Sequence, residues 1–412
     1  MVSIAVMGHG VVGSGVVEVL YKNQASIDQR AGEEIRLKYV LDLLEFPGLS
    51  YSDKFIKDFT VIENDPEISV VVEVMGGLNP AYDFVKRCLF AGKSVVTSNK
   101  ELVAAKGGEL LSIARERNVN FLFEASVGGG IPIIRPISQC LAANEIMEIL
   151  GILNGTTNFI LTKMFKEGMS FEESLSLAQE LGYAERNPDA DVGGHDTCRK
   201  ICILASLAFG KHVYPAQVST EGITGVTALD VAYAASHGYA IKLIGQVKKL
   251  EDGRVQCLVA PMLVPGDSQL SSVDDVFNAI VVRGDATGDV MFYGKGAGKL
   301  PTASAVVADV IDCVKHRAAR KYLYWGDGNP EYVADVGSNY TALYVRAKAV
   351  EPKLALQKVS EMFGPVNTLE CDNAPAHELA FVLPVGREQE LRDKLNALGA
   401  YLEPVQTMRI CE

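Results

Sequence analysis

Apolar runs of strand length alternate with segments of helical spacing through the N-terminal third of the chain. Residues 2–7 read as a buried strand, and a glycine-rich turn with an apolar helix through Leu20 follows. Further strands are predicted over 35–43, 69–74, 94–97 and 120–125, with helices over 80–90 and from about 101. Such alternation implies a doubly wound parallel α/β sheet. The pattern then changes. A strand over 148–153 leads into a helix through 164, and the capping box Ser170-Phe171-Glu172-Glu173 opens another to 181. Ile201, Leu204, Ala205 and Ala208 keep helical spacing, so Asp196 and Lys200, four apart, share one face of that helix at its first turn. Residues 239–249 and 255–264 flank Glu251-Asp252-Gly253-Arg254 as a long hairpin, in a sheet with one face free for a second copy. After an amphipathic helix to about 315, the order β-α-β-β-α-β over 340–410 predicts a ferredoxin-like module. Three domains are expected: a dinucleotide-binding Rossmann domain over 1–135 with a helix over 301–320 packing back on it, an α+β substrate and dimerisation domain over 136–300, and a C-terminal module over 335–412.

Composition narrows the class. The chain has 412 residues, 48% hydrophobic and 22% charged, which suits a soluble globular protein. A net charge of -12 without a basic stripe argues against nucleic acid and anionic membranes as partners. No apolar run reaches the roughly 18 residues of a membrane span, and the first residues enter a strand at once, so a cytoplasmic location is expected. The 8 cysteines include no CxxC pair and read as reduced, mostly buried thiols. His195, Cys198 and Cys202 could share a helical face, yet a structural zinc needs a fourth ligand with its own spacing. The acidic loop also fails as a calcium loop, because counting from Asp189 puts Lys200 where a bidentate glutamate belongs.

Candidate chemistry begins at Gly8-His9-Gly10-Val11-Val12-Gly13. Between a strand and a helix, the first glycine permits a tight turn, the second admits a pyrophosphate, and the third packs helix on strand. Asp42, near the end of the second strand, stands where a carboxylate grips the adenosine ribose, which favours NAD over NADP; it could equally be a solvated strand end. Lys100 opposes the dipole of the helix it begins. Gly8, Glu73, Lys100 and Glu124 are expected to face one crevice beyond the strands. Gly128-Gly129-Gly130 and the Gly294–Gly298 glycines bring backbone close to something. Asn154-Gly155-Thr156-Thr157-Asn158 offers hydroxyls and free amides at a helix start, suited to a carboxylate or simply a cap. The densest polar run is residues 182–200, carrying Tyr183, Glu185, Asp191, Asp196 and Lys200. Alone, Asp196 and Lys200 read as a surface ion pair; beside a dinucleotide site they become candidate acid/base groups.

These motifs together resemble homoserine dehydrogenase with a C-terminal ACT-like domain, over nearly the whole chain. The resemblance rests on the GxGxxG run, Val72-Glu73-Val74-Met75-Gly76-Gly77, Ser98-Asn99-Lys100, Glu124-Ala125-Ser126-Val127-Gly128-Gly129-Gly130-Ile131-Pro132, the Asn154–Asn158 run, the 182–200 stretch, and Gly296-Ala297-Gly298 with Pro301-Thr302-Ala303-Ser304. It implies reversible hydride transfer between NAD(P)H and aspartate 4-semialdehyde, giving L-homoserine for threonine, isoleucine and methionine synthesis. It implies Lys200 as acid/base, oriented by Asp196, with Lys100 near the nicotinamide or substrate. Glu185 and Asp191 would take the substrate ammonium; Gly155, Thr156 and Tyr183 its carboxylate. Gly8, Gly10, Val11, Val12, Gly13, Asp42, Lys100 and Gly296 would hold NAD or NADP. A monovalent cation, often sodium, would sit near Glu124 with carbonyls of Val127, Gly129 and Ile131. A homodimer or homotetramer is expected. Two departures stand out. Val40-Leu41-Asp42 lacks the arginine that many NADP-preferring relatives carry, and Val350-Glu351-Pro352-Lys353-Leu354 lacks the usual effector-loop glycine, leaving threonine feedback open. The rival readings are a dehydrogenase of another amino-acid semialdehyde and a catalytically silent dinucleotide sensor; two lysines among carboxylates favour the enzyme.

Overall fold

The computed structural model describes residues 1–318, 323–372 and 374–411. The end of the helix expected over 301–320 therefore lies outside the described residues. Two compact units emerge: one takes residues 1–146, 202–215 and 283–329, the other 147–201, 216–282 and 330–412. Among the described residues no helix is long and apolar enough to cross a membrane.

In the first unit, β1 (Val2–Met7), β2 (Ile35–Leu41), β3 (Phe55–Ile56), β4 (Ile68–Glu73), β5 (Ser94–Thr97) and β6 (Phe121–Leu122) form one sheet of order β3-β2-β1-β4-β5-β6. Every pairing is parallel. The order reverses at β1 and β4, the position where open α/β sheets bind ligands. Burial explains the sequence pattern: β1 is covered on both faces, so it reads as a continuous apolar run instead of alternating. The helix Lys299–Lys315 packs on the helix Val11–Lys22 within this unit, and Lys299 pairs with Glu18 at 2.7 Å. One expected strand is shorter than its pattern suggested. Residues 120–125 pair only at Phe121–Leu122, because the chain turns at Glu124–Ser126 to aim the Glu124 carboxylate at backbone amides.

The remaining strands are β7 (Ile146–Ile152), β8 (Ser219–Thr220), β9 (Tyr239–Lys249), β10 (Val255–Pro265), β11 (Phe277–Gly284), β12 (Gly288–Lys295), β13 (Tyr340–Lys348), β14 (Asn367–Leu369), β15 (Glu378–Arg387) and β16 (Glu403–Ile410). The second unit is built on a mixed sheet whose path runs β11-β7-β9-β10-β16-β13-β15-β14, with β8 also paired to β10. Its centre is the hairpin read from the sequence, with Val255 opposite Lys249 and Pro265 opposite Tyr239. The C-terminal β-α-β-β-α-β segment has the spatial order fourth, first, third, second strand. Alternation along β13 sends Leu343, Val345 and Ala347 into an apolar core with Phe381, Val359 and Leu391. Tyr344 and Arg346 point the other way, onto Asp230. This segment does not stand apart as its sequence pattern suggests: β16 pairs in parallel with β10 through Met262–Arg409 and Leu263–Ile410, making one continuous sheet.

Candidate active site

The nucleotide loop is shaped by steric necessity. Gly8 has φ +99°, a left-handed value that only glycine adopts without strain. A Cβ on Gly13 would lie 2.0 Å from the Gly8 carbonyl oxygen, so turn and helix can meet only there. Gly10 caps the helix Val11–Lys22 with no side-chain hydrogen bond at the cap, the kind of helix start whose first-turn amides attract anions. Asp42 lies one residue past β2, where its carboxylate accepts the His9 N–H at 2.7 Å and the Leu44 N–H at 2.9 Å. The ring of His9 meets Phe46 and Phe55 edge-on and lies 3.0 Å from the Tyr51 hydroxyl, and burial holds it below the usual imidazole pKa.

Two carboxylates expected to face a crevice face inward instead. Glu73, fully buried, accepts the Thr97 hydroxyl at 2.6 Å and the Met75 N–H at 2.8 Å, and burial raises its pKa. Glu124 accepts the amides of Ile133, Ile134 and Arg135, while its own N–H goes to Asp309, which also pairs with Arg135. A buried carboxylate needs such donors, and here the backbone supplies them. Around it, a Cβ on Gly129 would lie 2.3 Å from the Gly296 carbonyl, so the two glycine loops touch backbone to backbone. Lys100 is the first residue of the helix Lys100–Glu116. Asn99 caps that helix through Leu102 and donates to the Gly77 carbonyl at 2.6 Å, which ties the helix start to the turn after β4.

The second unit gathers two acids of the 182–200 stretch around one amide. Asn154 caps the helix Gly155–Glu167 with its carbonyl, and its Nδ2 donates to Asp191 at 2.7 Å and to Asp196 at 2.9 Å. Lys200 lies 2.8 Å from the same Asp196 and 2.6 Å from the Leu153 carbonyl. Asp196 and Lys200 are both buried, so the ion pair is no surface feature. Their helix, His195–Phe209, begins as its spacing predicted. Thr156 donates to the Tyr183 carbonyl at 2.7 Å, drawing residue 183 onto the helix start, while Tyr183 itself stays largely exposed and rests edge-on against Phe159. Glu185 is exposed, and its carbonyl accepts the Gln179 amide. Gly155 approaches Val276 so closely that a Cβ would lie 2.8 Å from its carbonyl. His195 is exposed, Cys198 and Cys202 are buried, and among the described residues no acidic, histidine and cysteine cluster could hold a metal ion.

Sequence reasoning named Asp191, Asp196 and Lys200 but did not single out the Leu153 carbonyl. The cap signal did mark Asn154. What it lacked was any indication that the free half of the amide reaches 37 and 42 residues ahead.

A doubly wound sheet with a glycine turn at its switch point, together with a buried lysine–aspartate pair, defines a dinucleotide-dependent oxidoreductase. Family models for "Homoserine dehydrogenase, NAD binding domain" and "Homoserine dehydrogenase" match residues 8–124 and 132–311. The chain is 46% identical to homoserine dehydrogenase of Synechocystis over 76% of this chain and 73% of that one. It is 38% identical to that of Neisseria gonorrhoeae over 89% and 86%. The crystal structure of a homoserine dehydrogenase from Thiobacillus denitrificans superposes with a TM-score of 0.90 at 35% identity, covering 100% of this chain and 98% of that one. The chain belongs to the homoserine dehydrogenase family and catalyses the reversible, nicotinamide-dependent interconversion of L-aspartate 4-semialdehyde and L-homoserine.

Proposed function

We propose that Lys200 is the acid/base of this reaction, held by Asp196 and the Leu153 carbonyl. The observation that carries this reading is the buried Asn154–Asp196–Lys200 cluster with Asp191 at its half-buried edge, since polar groups this costly to bury need a purpose beyond a surface charge pair. The nicotinamide cofactor supplies or accepts the hydride. During reduction Lys200 donates a proton to the carbonyl oxygen as charge develops there; during oxidation it takes the homoserine hydroxyl proton back. Asp191 and Glu185 attract the substrate ammonium. Gly155, Thr156 and Tyr183, at the start of the helix Gly155–Glu167, receive its carboxylate through helix-terminal amides and the local positive dipole end.

In the first unit, Gly8, Gly10, Val11, Val12 and Gly13 would cradle the pyrophosphate, Gly296 and Lys100 would line the cofactor, and Asp42 would bind the free ribose hydroxyls. Asp42 favours NAD, because a 2′-phosphate would meet a carboxylate without an adjacent arginine at Leu41. The glycine cradle fits such a group, since its tightest contacts are backbone to backbone. Any cation near Val127, Gly129 and Ile131 would rest on main-chain carbonyls, because the Glu124 carboxylate is already given to amides. Carbonyl oxygens suit a hard, weakly charged ion such as sodium. The strand order of the C-terminal segment supports an ACT-like module, and the assembly is a homo-oligomer in the cytoplasm.

The direct test follows absorbance at the reduced-cofactor band with L-homoserine and either NAD or NADP. NAD is expected to give the higher kcat/KM. A preference of tenfold or more for NADP would overturn the role given to Asp42.

A further inference from the structure

One guanidinium ties the C-terminal segment to Glu221 at the end of β8. Arg409, in β16 and 3% exposed, gives Nε and Nη2 to the two carboxylate oxygens of Glu388 at 2.8 and 2.7 Å. Its remaining nitrogen, Nη1, lies 2.9 Å from Glu221. Glu388 is itself buried and begins the helix Glu388–Ala397, so the fork is anchored on its inner side. Glu221 directly follows β8. That strand and β16 both run parallel to β10, one at Leu258–Val259 and the other at Met262–Leu263. Since β9 holds the other edge of β10, the two short pairings share one edge in line, and Glu221 meets Arg409 where they approach.

Residues just past Glu221 form the back wall of the acidic loop. The Ile223 N–H donates to the Val192 carbonyl at 2.8 Å. A Cβ on Gly222 would lie 2.3 Å from that same oxygen and 2.8 Å from Gly193 Cα, while one on Gly194, at φ +81°, would lie 3.2 Å from the Glu221 carbonyl. Neither side of this contact has room for a side chain. A shift of residues 221–223 must therefore move the turn 192–194, whose flanking carboxylates are Asp191 and Asp196. The same connection is fastened again further on, where Gln406 of β16 donates to the Gly225 carbonyl at 3.1 Å and Arg346 of β13 pairs with Asp230 at 2.7 Å.

We propose that Glu221 and Arg409 are positioning residues for the reaction, with the C-terminal segment setting the placement of Asp191 and Asp196 through the wall at 221–223. The inference rests on the substrate role given above to Asp191. Glu221 is 40% exposed on its side chain, and a pair so open to solvent adds little stability. Its effect is expected in geometry, which governs substrate affinity and proton transfer before it governs melting.

Steady-state kinetics of the full chain test this with Glu221→Ala, Glu221→Gln, Asp191→Ala and the double variant. Glu221→Ala is expected to raise the KM for L-homoserine about fivefold while the cofactor KM stays within about twofold. Glu221→Gln, which keeps an acceptor for Arg409, is expected to restore most of the loss. The double variant is expected to be no worse than Asp191→Ala, because both act on one carboxylate. An unchanged homoserine KM in Glu221→Ala, with Asp191→Ala raising it, overturns the proposal; so does full additivity. If Asp191→Ala leaves KM unchanged, the substrate reading fails on its own. Hydrogen exchange over residues 189–197 then decides: faster exchange in Glu221→Ala supports the positioning role, and unchanged exchange refutes it. Should Glu221→Ala fail to fold, Glu221→Asp, one methylene shorter, takes its place in both measurements.

Discussion

The ammonium nitrogen of Lys200 lies 2.6 Å from the backbone carbonyl of Leu153. A lysine held by a main-chain oxygen on one side and by Asp196 on the other has a direction as well as a charge. Leu153 directly precedes the Asn154 cap, so this hydrogen bond ties Lys200 to the strand–helix junction.

Removing the ammonium should therefore remove chemistry and spare binding. Lys200→Ala is expected to lower kcat by about 10²–10⁴-fold, the usual worth of general acid–base catalysis. Cofactor affinity, measured by fluorescence titration, should stay near wild type. Retained turnover would refute the role of Lys200.

Asn154 offers a sharper test of the cluster. Asn154→Ala deletes a helix cap worth about 1 kcal/mol and leaves Asp191 and Asp196 without their shared donor. Activity is expected to fall by one to two orders of magnitude, roughly as a lost charge-assisted hydrogen bond of 1.5–3 kcal/mol predicts. Asn154→Asp should be worse for activity, since it keeps the cap and adds a third carboxylate. Near-wild-type activity in Asn154→Asp would show that the amide is only a cap.

Cofactor choice should hinge on Asp42. Asp42→Ser removes the carboxylate that accepts the His9 and Leu44 amides and would repel a 2′-phosphate. The ratio of kcat/KM for NAD over NADP is expected to drop about tenfold or more. No change in that ratio would place cofactor selection elsewhere.

His212 makes stability depend on pH. Its Nε2 faces the Ala104 carbonyl at 2.8 Å and its Nδ1 accepts the indole N–H of Trp325 at 3.3 Å, an arrangement that requires the neutral ring. Burial lowers its pKa below the ordinary 6.5. The unfolded chain therefore binds the proton first, so the contribution is complete above pH 6.5 and declines as pH falls toward the folded-state value. Trp325 is the chain's 1 tryptophan and is buried, so its fluorescence reports the first unit. The melting midpoint is expected to fall between pH 7 and 5, with a shallower slope in His212→Gln. Identical slopes would exclude His212 as the source.

Local chemistry made much of this legible in advance. Gly8, Gly10 and Gly13 announced the turn after β1, and at Gly8 and Gly13 the tight βα junction indeed leaves no room for a side chain; Ser170-Phe171-Glu172-Glu173 announced a capping box that forms as written. Asp196 and Lys200 were found because helical spacing relates them over four residues. Glu73 and Glu124 misled for a physical reason: an acid at the end of a strand looks the same in sequence whether solvent, ligand or backbone satisfies it. The partnership of Glu221 with Arg409 spans 188 residues and follows from which edge of β10 each strand takes, a choice no local pattern records.

That choice also bears on how the sheet holds together. β16 stands between β10 and β13, and the Cys411 N–H donates to the Leu263 carbonyl just past the paired residues. One strand thus satisfies a backbone edge on each side of it. Displacing it would bare both edges at once and part the hairpin side of the sheet from the β13–β15 side, so β16 is a hinge pin whose loss costs two strand pairings together.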